Sequence, residues 1–229
     1  MSEWVELTAA DGHKLSAYVA RPEGEAKGAV IVVQEIFGVN PSIQSVADYY
    51  ATQGYVGIAP ALFDRFGKNI QLGYGSEDLK EAFQNYYPKL DKDAALKDIV
   101  AAFEYVKGTG KGAAVLGFCY GGLMAWLSNT RGPSAGMTPV CTVSYYGGGV
   151  GSFATEAISC PALLHFGADD DHIGKDQSDG VRDAHPDAEI YLYEGAGHAF
   201  ANPDRPSYVA DAAKRADERS LEFLNRNFA

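Results

Sequence analysis

Cysteine is scarce in this chain: Cys119, Cys141 and Cys160 are the only three among 229 residues. An odd, scattered set without a CxxC pair excludes a secreted disulfide framework, a zinc knuckle and a thioredoxin-like redox motif. Long apolar runs are also missing. The longest purely aliphatic stretch, Ala29–Val33, falls far short of the roughly 20 residues a membrane helix needs. Basic residues are in deficit, 19 Lys and Arg against 30 Asp and Glu, and the net charge of −11 argues against nucleic acid or an anionic membrane surface as partner. The N-terminus lacks a basic region followed by an apolar one, so no signal peptide is expected and the expected compartment is the cytoplasm. No repeat, low-complexity tract or linker interrupts the sequence. One domain over residues 1–229 is therefore expected, long enough to bury roughly 70–75% of the surface of its unfolded chain without disulfides or a structural metal.

What is present has the composition of an ordinary globular protein, 46% hydrophobic and 12% aromatic. Trp4–Thr8 and Leu15–Ala20 are β-rich and flank Asp11-Gly12, which predicts a hairpin. The continuous apolar run Ala29–Gln34 predicts a strand covered on both faces. Further strands are predicted at Tyr55–Ala59, Ala113–Gly117, Val140–Tyr146, Pro161–Phe166 and Glu189–Tyr193. Between and after them, helical spacing covers Ser42–Thr52, Asp91–Val106, Gly121–Asn129, Gln177–Ala184 and Tyr208–Asn225. Residues 61–90 carry no regular pattern. The alternation predicts an α/β fold: a three-layer sandwich whose mostly parallel central sheet has helices on both faces. Alternating charges on the last helix predict a solvated face, compatible with a monomer or a simple homodimer.

In such a sheet reactive groups gather beyond the carboxyl ends of strands. Gly117-Phe118-Cys119-Tyr120-Gly121 follows an apolar strand and opens a helix, the Gly-x-nucleophile-x-Gly form of a nucleophile elbow. His198, in the glycine-rich loop Gly195-Ala196-Gly197-His198, follows the last strand and is a candidate base. The run Asp169-Asp170-Asp171 follows the Pro161–Phe166 strand and offers a carboxylate to orient that imidazole. Nucleophile, acid and base thus come in the chain order of α/β-hydrolases, each after its own strand. A calcium loop counted from Asp169 would place Ile173 and Gly180 where oxygen ligands are required, so calcium fails. Zinc is disfavoured because His165 lies in an apolar strand and no HExxH pattern occurs. No cofactor is implied. Cys141 and Cys160 read as core residues. Two other readings are a thiol redox sensor built on Cys119, which has no resolving cysteine near it in sequence, and a non-catalytic member of the fold.

With Gln34-Glu35-Ile36-Phe37-Gly38-Val39-Asn40 added to the cysteine elbow and Ala196-Gly197-His198-Ala199-Phe200, the chain resembles the dienelactone hydrolase family from about Asp11 to its C-terminal helix. The resemblance implies a carboxymethylenebutenolidase-like enzyme that cleaves a small lactone or carboxylic ester through a cysteine. It implies Cys119 as nucleophile, His198 as general base and Asp170 as acid, with Asp171 as second choice. It also implies Glu35 as a carboxylate close to the resting thiol that shares its proton. The Ile36 and Tyr120 N–H groups would form the oxyanion hole. Phe37, Tyr145 and Arg65 would contact substrate, and Tyr74 and Phe200 are further aromatic candidates, Tyr74 reading more simply as an ordinary core or rim residue. Where the family's type enzyme has a substrate-binding arginine, this chain has Asn202, and the nearest arginine is Arg205. A less charged acyl group is therefore expected.

Overall fold

Continuous apolar runs become interior strands here because both their faces are covered by helices. The computed structural model describes residues 1–229, and its eight strands form one sheet in the order β1-β2-β4-β3-β5-β6-β7-β8. The strands are β1 Ser2–Thr8, β2 Lys14–Ala20, β3 Ala29–Val33, β4 Val56–Pro60, β5 Ala113–Phe118, β6 Thr142–Tyr145, β7 Ala162–Gly167 and β8 Glu189–Tyr193. β1 and β2 form the hairpin and β2 meets β4 antiparallel; every other pairing is parallel. All residues of β3, β4, β5 and β7 are buried.

The helices are α1 Pro41–Thr52, α2 Ser76–Glu81, α3 Lys92–Val106, α4 Tyr120–Thr130, α5 Lys175–Ala184 and α6 Ala210–Asn227. Their starts have local causes. Asn40 accepts from the Ile43 N–H ahead of Pro41, and Asp91 accepts from the Asp93 and Ala94 N–H groups. Strand alternation distributes them over two faces. On β6, Tyr145 turns its hydroxyl to Ser220 of α6, whereas Ser144 lies against the Gly122 end of α4. The interior is one cluster of 66 buried apolar residues. No helix is long and apolar enough to cross a membrane.

Most boundaries fall within two residues of the sequence expectation. The C-terminal helix starts at Ala210 and runs to Asn227, and its buried side is Ala212, Ala213, Ala216, Ser220, Phe223 and Leu224. The unpatterned segment folds into a 3₁₀ turn at Leu62–Arg65, then α2, a π-helical turn at Ala82–Tyr86 and a 3₁₀ turn at Tyr87–Lys89. Ala82 is the only buried residue between Ser76 and Lys89, so no apolar periodicity could announce these turns.

Candidate active site

The β5–α4 junction is a sharp elbow. Cys119 stands there at φ 54°, ψ −117°, a left-handed conformation that is strained for a residue with a Cβ. Its glycines are sterically required. A Cβ on Gly117 would lie 2.0 Å from the Gly121 carbonyl oxygen, and one on Gly121 would lie 2.2 Å from that of Val33. The close approach of β3, β5 and α4 thus exists only with glycine at both places. Tyr120 is the first residue of α4, and its N–H has no intrahelical acceptor. The Ile36 N–H, just beyond β3, donates to no protein group either. Both residues line the same cleft as Cys119.

The loops after β7 and β8 bring a carboxylate and an imidazole to that cleft. Asp170 Oδ1 accepts from the N–H groups of His172 at 2.8 Å and Ile173 at 3.2 Å, while Oδ2 lies 2.9 Å from His198 Nδ1. The Asp170 side chain has no solvent exposure. Asp169 and Asp171 are exposed. His198 is fixed from both ends: its carbonyl accepts from Ser207 Oγ at 2.6 Å, and the Tyr146 and His172 rings stand edge-on, each 5.2 Å from the imidazole. Burial works against a charged imidazole, but the Asp170 carboxylate and the adjacent Cys119 outweigh it and raise the His198 pKa to about 10.

Glu35 is 2% exposed. Burial raises its pKa, opposed by the Tyr74 hydrogen bond, the Arg205 charge, His198 and Asn202. Its Oε2 accepts from Tyr74 Oη at 3.0 Å and from Asn202 Nδ2 at 3.1 Å. The expected proton sharing with the Cys119 sulfur is not among its hydrogen bonds; a tyrosine and an amide satisfy the carboxylate instead. Asn202, which offers no charge, is thereby a ligand of Glu35. Tyr74 is a polar partner rather than an ordinary rim aromatic.

The cleft has a volume of about 480 Å³ and also receives Phe37, Leu79, Phe83, Tyr87 and Arg205. Two expected substrate contacts are corrected. The Arg65 guanidinium is held at 2.7 Å by both oxygens of the buried Asp98 carboxylate on α3, and by Asp11. Tyr145 is 1% exposed, with its hydroxyl bound to Asp217 at 2.9 Å and Ser220 at 2.7 Å. Neither residue lines the cleft. Phe200 is buried against Tyr146 and Tyr193, also outside the lining. His165 is enclosed between Tyr193 and Ser220, and burial lowers its pKa to about 3. Cys141 and Cys160 are remote from the lining, and burial raises both thiols, Cys160 to about 12.

Arg205, by contrast, reaches the cleft. It lies 5.4 Å from the Phe37 ring centroid and 5.5 Å from that of Tyr74, and its guanidinium donates no hydrogen bond to the protein. His172, weighed with His165 and His198 only as a zinc ligand, also lines the cleft, whereas Leu79, Phe83 and Tyr87 carry no motif in the sequence. The only signal was the four-residue spacing of Phe83 and Tyr87, which falls in a segment without other pattern.

A mostly parallel sheet, an elbow at the end of its central strand β5 and loops converging from β7 and β8 define an α/β-hydrolase-type esterase. More narrowly, the chain belongs to the dienelactone hydrolase family, whose profile matches residues 15–228. It is 30% identical to the carboxymethylenebutenolidase of Pseudomonas putida, over 98% of this chain and 96% of that one. A crystal structure from Klebsiella pneumoniae, provisionally assigned as a dienelactone hydrolase, superposes with a TM-score of 0.81 at 28% identity, covering 98% and 99% of the two chains. A dienelactone hydrolase-like promiscuous phosphotriesterase from metagenomic libraries shares the fold, with a TM-score of 0.78 at 22% identity over 100% and 99%. The chain is accordingly a hydrolase of lactones or small carboxylic esters.

Proposed function

We propose that this hydrolase works through a cysteine acyl-enzyme, with Cys119 as nucleophile, His198 as general base and Asp170 as the carboxylate that orients the imidazole. The observation that carries this reading is the 2.9 Å bond from His198 Nδ1 to a fully buried Asp170, with Cys119 on a strained elbow in the same cleft. That bond fixes the tautomer and leaves Nε2 for the sulfur.

His198, held as an imidazolium by its raised pKa, carries the proton of Cys119 on Nε2, and the cysteine sulfur bonds as the thiolate to the substrate carbonyl carbon. The carbonyl π electrons move to oxygen, where the free N–H groups of Ile36 and Tyr120 receive the charge. Each such donor contributes about 2.7–4 kcal/mol to the transition state. Collapse of the tetrahedral intermediate breaks the C–O bond, and His198 returns the proton to the departing oxygen. In a lactone that oxygen stays tethered as the new hydroxyl. Water, deprotonated by His198, then attacks the thioester, the C–S bond breaks and the acid leaves. Glu35 is the second carboxylate of the site. One of its oxygens is held by Tyr74 and Asn202, and the residue lines the same cleft as Cys119.

Arg205 supports a substrate with an anionic or strongly polar oxygen, since its guanidinium faces the cleft unpaired. This revises the expectation of a less charged acyl group. Cys119→Ala should abolish lactone and ester hydrolysis with an unchanged circular dichroism spectrum, and Cys119→Ser should retain only a small fraction of turnover. Wild-type turnover in the alanine variant would refute the assignment.

A further inference from the structure

Seven large apolar side chains of this protein are exposed, and two of them, Phe83 at 48% and Tyr87 at 51%, line the cleft around Cys119. We propose that Phe83, Tyr87 and the neighbouring Leu79 form a subsite for an aryl-sized apolar group of the substrate, an assignment that builds on the hydrolase reading above. The alternative role for such side chains is packing, and here it fails. Ala82 is the only buried residue of the Ser76–Lys89 run, so neither aromatic is needed to fill the core.

The backbone under them is also unusual. Ala82–Tyr86 is wound as a π-helical turn and Tyr87–Lys89 as a 3₁₀ turn. π-Helical turns are rare and frequently mark functional sites. This one sets Phe83 and Tyr87 as an edge-to-face pair, with centroids 5.6 Å apart and planes 60° apart. An aromatic ligand extends such an arrangement, because a third ring can meet either partner edge-on or offset.

Arg205 supplies the polar counterpart in the same cleft, braced beside the Phe37 and Tyr74 rings. The volume of about 480 Å³ lies within the range of small-ligand sites, roughly 300–1,000 Å³. The substrate class that fits is therefore an ester or lactone of an aryl-bearing acid. Its ring would be buried by Phe83 and Tyr87, and a carboxylate or carbonyl oxygen would lie within reach of Arg205.

The test uses phenylacetate and acetate as product-like probes, titrated by calorimetry into the Cys119→Ala protein. Phenylacetate should bind at least tenfold more tightly than acetate. Adding Phe83→Ala or Tyr87→Ala should cut that preference about tenfold, with Phe83→Trp restoring it and thermal melts verifying that each variant is folded. With the native cysteine, Phe83→Ala should raise KM for ethyl phenylacetate several-fold more than it lowers kcat. Equal affinity for the two acids, or a preference that survives both alanine substitutions, would overturn the subsite. Failure of the hydrolase reading gives a different pattern: the aryl preference and its loss in Phe83→Ala persist, while no ester is turned over.

Discussion

Asp170→Asn is the substitution whose consequence the structure fixes most closely. Asp170 uses both oxygens as acceptors: Oδ1 takes the His172 and Ile173 N–H groups, and Oδ2 takes His198 Nδ1–H. An asparagine keeps only one acceptor oxygen. Two backbone donors hold that oxygen, so the amide NH₂ turns towards His198 and donates where the carboxylate accepted. The imidazole must then carry its proton on Nε2, the nitrogen that takes the cysteine proton in the proposed mechanism. In a triad this wrong tautomer costs up to about 10⁴-fold in kcat, on the order of 5 kcal/mol in the barrier. Loss of the carboxylate also removes a principal cause of the raised His198 pKa. A folded pKa of about 10 against an unfolded value of about 6.5 gives stability that is complete below pH 6.5 and disappears as pH rises through 10. Urea melts of the wild type should therefore weaken across that alkaline window, and those of Asp170→Asn should weaken much less. The rate assay is pH-stat hydrolysis of a small ester, with nitrogen NMR reporting the tautomer. Activity within tenfold of wild type would refute the orienting role of Asp170.

Other outcomes follow from the same geometry. His165 is held neutral by burial, with its pKa near 3, so the folded state binds fewer protons than the unfolded one between pH 6.5 and 3 and stability falls across that interval on acidification. His165→Gln should flatten that acid limb in denaturant titrations, although losing the Tyr193 or Ser220 bond lowers stability at pH 7; an unchanged slope would assign the acid limb to other groups. Gly121→Ala forces a Cβ to within 2.2 Å of the Val33 carbonyl oxygen. It should cost about 3 kcal/mol and lower Tm by on the order of 10 °C, and an unaltered Tm would contradict the elbow argument. Arg205→Gln should raise KM for a carboxylated lactone at least tenfold more than for a neutral ester of similar size. Equal changes for both would remove Arg205 from substrate recognition.

The parallel core of the sheet was legible because local signals agreed there. AVIVV at Ala29–Val33 can be little other than a buried strand, and Gly-x-Cys-x-Gly after an apolar strand constrains both backbone and chemistry. Contacts that depend on partners distant in sequence were not legible. Nothing local says that Arg65 is claimed by Asp98, thirty-three residues on. Nor does anything local say that Tyr145 reaches Asp217 and Ser220 on the last helix. Residues 61–90 resisted reading for another reason: their turns are held by backbone geometry and one buried alanine rather than by an apolar stripe. That segment supplies Leu79, Phe83 and Tyr87, so sequence pattern was weakest where this wall of the cleft is built. The three adjacent carboxylates 169–171 illustrate the same limit. Composition alone does not rank them, the family resemblance favours Asp170 over Asp171, and the turn after β7 buries Asp170 while its neighbours face solvent.

The proposed catalysis depends on covalent chemistry at one sulfur, and mass spectrometry addresses it directly. The protein would be mixed with a slowly deacylated ester, quenched in acid during turnover and digested. The acyl mass should appear on the peptide bearing Cys119 and on neither Cys141 nor Cys160, accumulating in His198→Asn if residual acylation persists and absent in Cys119→Ala. Turnover that proceeds with Cys119 unmodified throughout, at a rate the alanine variant matches, would contradict it.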